Sequence, residues 1–301
     1  MKRRILACVL ALCCAVGCGL MIPVGADNSA PVAENFEFET YRGVSFGGQL
    51  AAVDPDGDTL SFEITTEPVK GTIELCDDGS FVYTPIDGKR GKDYFGYKAV
   101  DAEGNKSQEA TVIIRLIKNK CGVSYIDMDG NASYCSAVKL AECGAYIGKQ
   151  IGGNRYFEPN EVITRGEFLS MCLEATGADL LKGVVSTGFM DDEAIPDWQK
   201  AYVATAVKSG IVKGHASAKG ALFDSGDNIS AAEAMVILNR TLNLSNVSHL
   251  ESSDVPEWAA QAAANLDACS IADASSACSS SLTRAEAADM LAAAMALIES
   301  R

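Results

Sequence analysis

From Asn28 to Lys118 the apolar side chains recur at every second position. Leu60, Phe62 and Ile64 alternate with polar residues, as do Ile73 and Leu75, Phe95 and Tyr97, and Val112, Ile114 and Leu116. Turn-forming clusters separate these runs: Asp54-Pro55-Asp56-Gly57-Asp58, Asp77-Asp78-Gly79 and Ala102-Glu103-Gly104-Asn105. Short strands at such intervals predict an all-β sandwich over residues 27–118. From Ser124 onward the period becomes helical, and Ala, Leu and Met dominate. It predicts helices over 201–207 and 259–266, opened by Trp198 and Trp258, and longer ones over 231–242 and 285–298. The change of period puts a polar linker at 119–123.

The helical half also repeats. Three times an acidic residue (Asp127, Asp191, Asp254) precedes a helix, a polar or glycine-containing loop, and a second helix with a similar opening. The three openings are Ile163-Thr164-Arg165-Gly166-Glu167, Ile229-Ser230-Ala231-Ala232-Glu233 and Leu282-Thr283-Arg284-Ala285-Glu286. The repeats span 124–177, 186–243 and 249–300. Small residues, Cys143, Ser209 and Cys269, recur just after the first helix, which predicts packing roles for those cysteines.

Thr164 with Glu167, Ser230 with Glu233, and Thr283 with Glu286 each spell S/T-x-x-E, the capping box that starts a helix. The boxes account for hydroxyl and carboxylate and leave the arginines unexplained. Arg165 and Arg284 fall in a first helical turn, where the macrodipole disfavours a cation. A helix start offers N–H groups to anions, and a guanidinium beside it adds a planar, permanently charged fork. The pairing predicts an anion site, used twice.

These residues resemble S-layer homology (SLH) domains. That family's pattern runs F-x-D, Trp, helix, G-I-x-x-G, an F-x-P turn and T-R-A-E. The second repeat supplies Phe189, Asp191, Trp198, Gly210-Ile211-Val212-Lys213-Gly214 and Phe223. The first supplies Tyr125, Asp127, Phe157-Glu158-Pro159 and Thr164 to Glu167; the third supplies Asp254, Trp258 and Thr283 to Glu286. The resemblance implies an all-α, pseudo-three-fold helical domain whose grooves bind an anionic, often pyruvylated, secondary cell-wall polysaccharide. Carried over residue by residue, it implies polymer binding by Thr164, Arg165, Glu167, Gly214, Thr283, Arg284 and Glu286. Three departures matter. Ala231 replaces the motif arginine, which predicts a silent groove there. Ala132 stands where the first tryptophan belongs, and residues 273–281 replace the F-x-P turn of the third repeat. The strand half resembles bacterial Ig-like, cadherin-like modules through Asn28-Ser29-Ala30-Pro31-Val32-Ala33, the aspartate-rich turn and Tyr83-Thr84-Pro85. Such modules act as spacers or adhesive units, which implies a surface partner.

Composition and chemistry narrow the picture further. Lys2, Arg3 and Arg4, an apolar run and Val24-Gly25-Ala26 read as a signal peptide over 1–26, so the protein is expected outside the membrane, on a thick bacterial wall. The alternatives are a retained membrane anchor and a lipid on Cys18. Of 25 basic and 40 acidic side chains, net −15, cleavage removes those three basic residues and leaves −18. Such a chain has no non-specific affinity for nucleic acid. Cys76, Cys121, Cys135, Cys143, Cys172, Cys269 and Cys278 then remain, an odd set without C-x-x-C; most read as buried packing residues, with Cys269 and Cys278 near enough to pair. Asp54, Asp56 and Asp58, with Asp101 as a fourth, suit calcium; the same residues suit a turn whose aspartates cap their own backbone, and without a distal Glu the turn reading is preferred. Asp127 to Asn131 also looks like a calcium loop, but Asp127 is the repeat-start aspartate. Trp198 and Trp258 are expected to pack between repeats, and His215 to be an exposed loop residue. No nucleophile, zinc or phosphate-loop motif is present, so no enzyme is expected, with a wall hydrolase as the remaining catalytic alternative.

Overall fold

The computed structural model describes residues 28–218, 220–248, 255–272 and 280–301. The leader expected at 1–26, Asp254, His249, Cys278 and most of 273–281 lie outside the described residues. The chain divides into two compact units between Lys118 and Asn119.

The first unit is a sandwich-like β domain. Its strands are β1 (Val32–Ala33), β2 (Phe36–Tyr41), β3 (Phe46–Gln49), β4 (Ala52–Val53), β5 (Ser61–Thr66), β6 (Gly71–Leu75), β7 (Ser80–Pro85), β8 (Gly91–Val100) and β9 (Ala110–Ile117). One sheet runs β2-β9-β8-β5, the other β3-β7-β6, and β1 pairs with β4. β2 lies parallel to β9, with Phe36 opposite Val112 and Tyr41 opposite Ile117; the other pairings are antiparallel. The alternation does what the sequence pattern requires, because successive side chains on a strand face opposite ways. Phe95, Tyr97, Val112, Ile114 and Leu116 meet Phe81 and Tyr83 in one buried core. Inside it, the Asp93 carboxylate accepts hydrogen bonds from Tyr83 Oη (2.9 Å), Val69 N–H (3.1 Å) and Lys70 N–H (2.8 Å). Three donors thus satisfy a buried polar group that would otherwise be costly to bury.

The second unit has six helices among the described residues: α1 (Tyr134–Cys143), α2 (Arg165–Ala175), α3 (Asp197–Lys208), α4 (Ala231–Leu242), α5 (Glu257–Ala268) and α6 (Arg284–Ser300). Residues 119–123 belong to it rather than hanging free: Asn119 closes a turn with Gly122 and Val123, and Lys120 N–H donates to Glu142. The expectation of a purely helical half is corrected by two hairpins, β10 (Lys149–Ile151) with β11 (Asn154–Tyr156), and β12 (His215–Ser217) with β13 (Gly220–Leu222). Each begins after a left-handed glycine, Gly148 (φ 77) or Gly214 (φ 75), which turns the chain into extended geometry. A Cβ at Gly214 would collide with the Phe189 ring and the Leu222 carbonyl, and one at Gly148 with Tyr125 and the Tyr156 carbonyl.

Two devices fix these loops to the helices. Asp127 accepts from the N–H groups of Phe157 (2.9 Å) and Glu158 (2.7 Å); Asp191 does the same for Phe223 (2.9 Å) and Asp224 (2.8 Å). Each aspartate braces a residue in the left-handed region, Glu158 (φ 58) or Asp224 (φ 57), where a non-glycine side chain is strained. So Asp127 serves a turn within its repeat, as the sequence reading preferred. The helix openings then meet one another. Ile163 N–H donates to Leu282, Leu282 N–H to Ile229 and Ile229 N–H to Ile163, a closed cycle of three backbone bonds at 2.9–3.1 Å. All three side chains are buried.

Candidate functional site

The capping boxes form as the sequence predicts. Thr164, Ser230 and Thr283 each accept from the N–H of Glu167, Glu233 and Glu286, whose carboxylates return to the capping residue's N–H. The expectation that these helix starts offer free N–H groups to an anion is corrected. Arg165 N–H donates to Asp227 and Gly166 N–H to Ser225; Arg284 N–H donates to Glu161 and Ala285 N–H to Pro159. The donors of each first turn are thus taken by carbonyls of another repeat's turn. Ala231 N–H donates to Ser280 in the same way.

The two arginines are buried, Arg165 at 8% and Arg284 at 5% exposed, and their environments differ. Arg284 Nη1 donates to the carbonyls of Phe157 and Glu158 (both 2.9 Å) and to Glu158 Oε2 (3.2 Å), with the guanidinium 5.1 Å from the centre of the Tyr146 ring. Arg165 Nη1 meets Glu233 Oε1 at 3.0 Å, and its guanidinium lies 5.5 Å from the Phe223 ring centre. Arg165 Nε is buried without any acceptor. Burial pulls the Arg165 pKa down, against the upward pull of Glu233 and Asp224.

Beside Arg165 opens a cavity of about 500 Å³. Arg165, Lys213, His215 and Arg240 bring positive or protonatable groups to it, Glu233 a carboxylate, and Trp258 an aromatic wall. Gly214 lines it as well, and its left-handed turn is what brings Lys213 and His215 to the cavity. Arg240 is held by a bond from Nη1 to the Ile211 carbonyl (3.0 Å), and His215 Nδ1 lies 2.7 Å from Asp224 Oδ2. A planar cation, two further basic side chains and an exposed indole face in one recess suit an anionic sugar, with the acid group on the guanidinium and the ring against the indole.

Of the residues singled out from the sequence, Arg165, Gly214, His215 and Trp258 meet in this cavity, while Thr164 and Glu167 cap α2 and do not line it. Thr283, Arg284 and Glu286 belong to the α6 start and do not line it. The expectation that Trp198 and Trp258 pack between repeats is corrected: they are 58% and 61% exposed, because each sits in the first turn after a proline, on the outward side of its helix. The cysteine expectation holds for Cys135 and Cys172, which are buried, and fails for Cys76 and Cys121, which are exposed. Lys213 and Arg240 escaped the sequence reading. The signal that finds them is the comparison of repeats, in which Glu174 holds the position of Arg240 and Ile147 that of Lys213.

In the strand half, carboxylate oxygens of Asp54, Asp58 and Asp101 lie within 4.8 Å of one another. Asp54 Oδ1 caps its own turn, accepting from Asp56 N–H (2.8 Å) and Asp58 N–H (3.3 Å), and its Oδ2 is buried without a partner. Burial raises the Asp101 pKa, but bonds from Asn105, Gly104 and Glu103 outweigh it and hold the group below the ordinary carboxylate range. Asp56 stands outside the cluster, accepting from Ser29 N–H. The turn reading therefore accounts for one oxygen of Asp54, and the orphaned second oxygen suits a hard cation.

Residues 28–118 match the model of the bacterial cadherin-like domain. The exoglucanase XynX of Acetivibrio thermocellus is 28% identical over 149 residues, a match covering 47% of this chain and 13% of that enzyme. Among solved structures, an endo-fucoidan hydrolase of glycoside hydrolase family 107 aligns over 32% of this chain and 14% of its own, with 24% identity and a TM-score of 0.25. A mutant of the SrpA adhesin from Streptococcus sanguinis aligns over 34% of this chain and 63% of its own, with 17% identity and a TM-score of 0.25. TM-scores this low bear on neither fold nor function. The strand half is a bacterial cadherin-like domain.

Proposed function

We propose that this is a non-catalytic surface protein whose helical half, built from three SLH-like repeats, holds it on an anionic, secondary cell-wall polysaccharide. The cadherin-like half then serves as a spacer or adhesive unit. The observation that carries the reading is the cavity at Arg165. In a chain of net charge −15, Arg165, Lys213 and Arg240 converge on one recess beside an exposed tryptophan. The cycle of backbone bonds among Ile163, Ile229 and Leu282 supports the three-repeat assignment, since each opening pentapeptide meets the other two. Gly214 lines this recess, and the Asp54, Asp58 and Asp101 cluster supports calcium binding by the strand half.

The test is sedimentation of the full chain with purified wall sacculi, before and after chemical removal of the secondary polysaccharide. Binding to intact sacculi and none to stripped sacculi is the expected result. Equal binding to both preparations overturns the reading.

A further inference from the structure

We propose that, among the described residues, glycan binding by the helical half is carried by a single groove, the one at Arg165, and that its counterpart at Arg284 is closed by its own ion pairs. The inference rests on the reading of the Arg165 groove as an anionic-glycan site.

The sequences of the first two repeats align without a gap from Gly148 and Gly214 into α2 and α4, and their hairpin strands pair with the same length and register. Arg284 stands to the first repeat as Arg165 stands to the second. Each lies over an aromatic ring of that repeat and beside its left-handed acidic residue, Glu158 or Asp224. The difference begins with one methylene. The longer Glu158 reaches Arg284 Nη1 (3.2 Å) and also takes Lys149 Nζ (2.5 Å), so one carboxylate joins both basic groups of that groove. The shorter Asp224 turns to His215 instead (2.7 Å). Arg165 is left with one carboxylate bond and a buried Nε that has no acceptor.

The neighbouring charges widen the gap. Around Arg165, Lys213 and Arg240 add positive charge, against Glu233 and Asp224. At the corresponding positions of the first repeat stand Ile147, which is uncharged, and Glu174, which is acidic and accepts from Tyr202. Arg284 and Lys149 therefore face Glu158 and Glu167, with Glu174 further along α2. An incoming carboxylate meets excess positive charge at the Arg165 groove and a balanced set, two basic and two acidic groups, at the Arg284 groove. At the third equivalent position Ala231 brings no cation at all. Arg284 is then a clamp that ties the α6 start to the turn at Phe157 and Glu158.

The experiment is calorimetric titration of the full chain with a methyl hexoside carrying a pyruvate ketal. One equivalent bound per chain is expected. Arg165→Ala should weaken binding by about tenfold or more, the scale of one lost charge-assisted contact. Lys213→Glu, at an exposed position that leaves folding intact, should weaken it in the same direction. Arg284→Ala should bind like the parent, and so should Lys149→Ala, the exposed variant to use if loss of the clamp prevents folding. Two equivalents per chain, or weakening by either change in the Arg284 groove as large as that from Lys213→Glu, overturns the single-groove assignment while leaving the glycan reading intact. A parent chain that takes up none of the probe overturns the glycan reading and this assignment with it.

Discussion

Single side chains decide more here than their chemical type suggests. Arg165 and Arg284 sit in matching pentapeptides, yet one has a buried nitrogen without an acceptor and the other has three acceptors on one nitrogen. No reading of the pentapeptides could separate them, because the deciding atoms belong to Glu158 and Asp224, far off in the chain. The tryptophans depart from the sequence expectation for a related reason. A fixed place at a helix start constrains the backbone, and which way the ring points depends on the elements packed alongside. In the strand half, Asp93 carries a comparable load. Asp93→Ala leaves the Tyr83 hydroxyl and the N–H groups of Val69 and Lys70 without their acceptor, at a cost of about 3 kcal/mol for the donors left unsatisfied. Urea denaturation of the variant should show that loss, and a midpoint equal to the parent's would show that water reaches these donors.

At the scale of elements, the capping boxes and strand alternation were legible because each is written in a few adjacent residues. The two hairpins were not, since a three-residue strand after a glycine resembles any loop. Thr164→Ala should cost about 1 kcal/mol of stability through the lost cap, and should touch glycan binding only through that loss. Acid should loosen the loop that leads into α3. Asp192 is held down to about 2 by the hydroxyl and N–H of Thr187, with Lys200 adding to the effect. A carboxylate with a depressed folded pKa contributes stability above its unfolded value, near 4, and loses that contribution as pH falls toward 2. Comparing Asp192→Asn with the parent should therefore show a stability gap at neutral pH that closes on acidification; a constant gap would mean the bonds are not titrating. The acidic cluster of the strand half makes its own prediction. If Asp54, Asp58 and Asp101 hold calcium, millimolar calcium should raise the melting temperature of residues 28–118 by mass action, and Asp54→Ala should abolish the rise. Identical melting in calcium and in chelator would assign those carboxylates to the turn alone.

Over the whole molecule, the change of hydrophobic period marked the division into a strand half and a helical half, because periods of two and of 3.6 demand different backbones. The proposal of three repeats rests on the order of their motifs. What the sequence left dark was how the repeats meet: the helix starts donate to one another's turns, and the groove gathers Arg165 from one repeat, Lys213 and Arg240 from the next, and Trp258 from the third. On the proposed function, anchoring belongs to this helical half. The measurement that tests it most directly is retention of residues 119–301 and residues 28–118, prepared separately, on sacculi that carry the secondary polysaccharide. The helical half should be retained like the full chain and the strand half should wash through. Retention of the strand half alone would contradict the account.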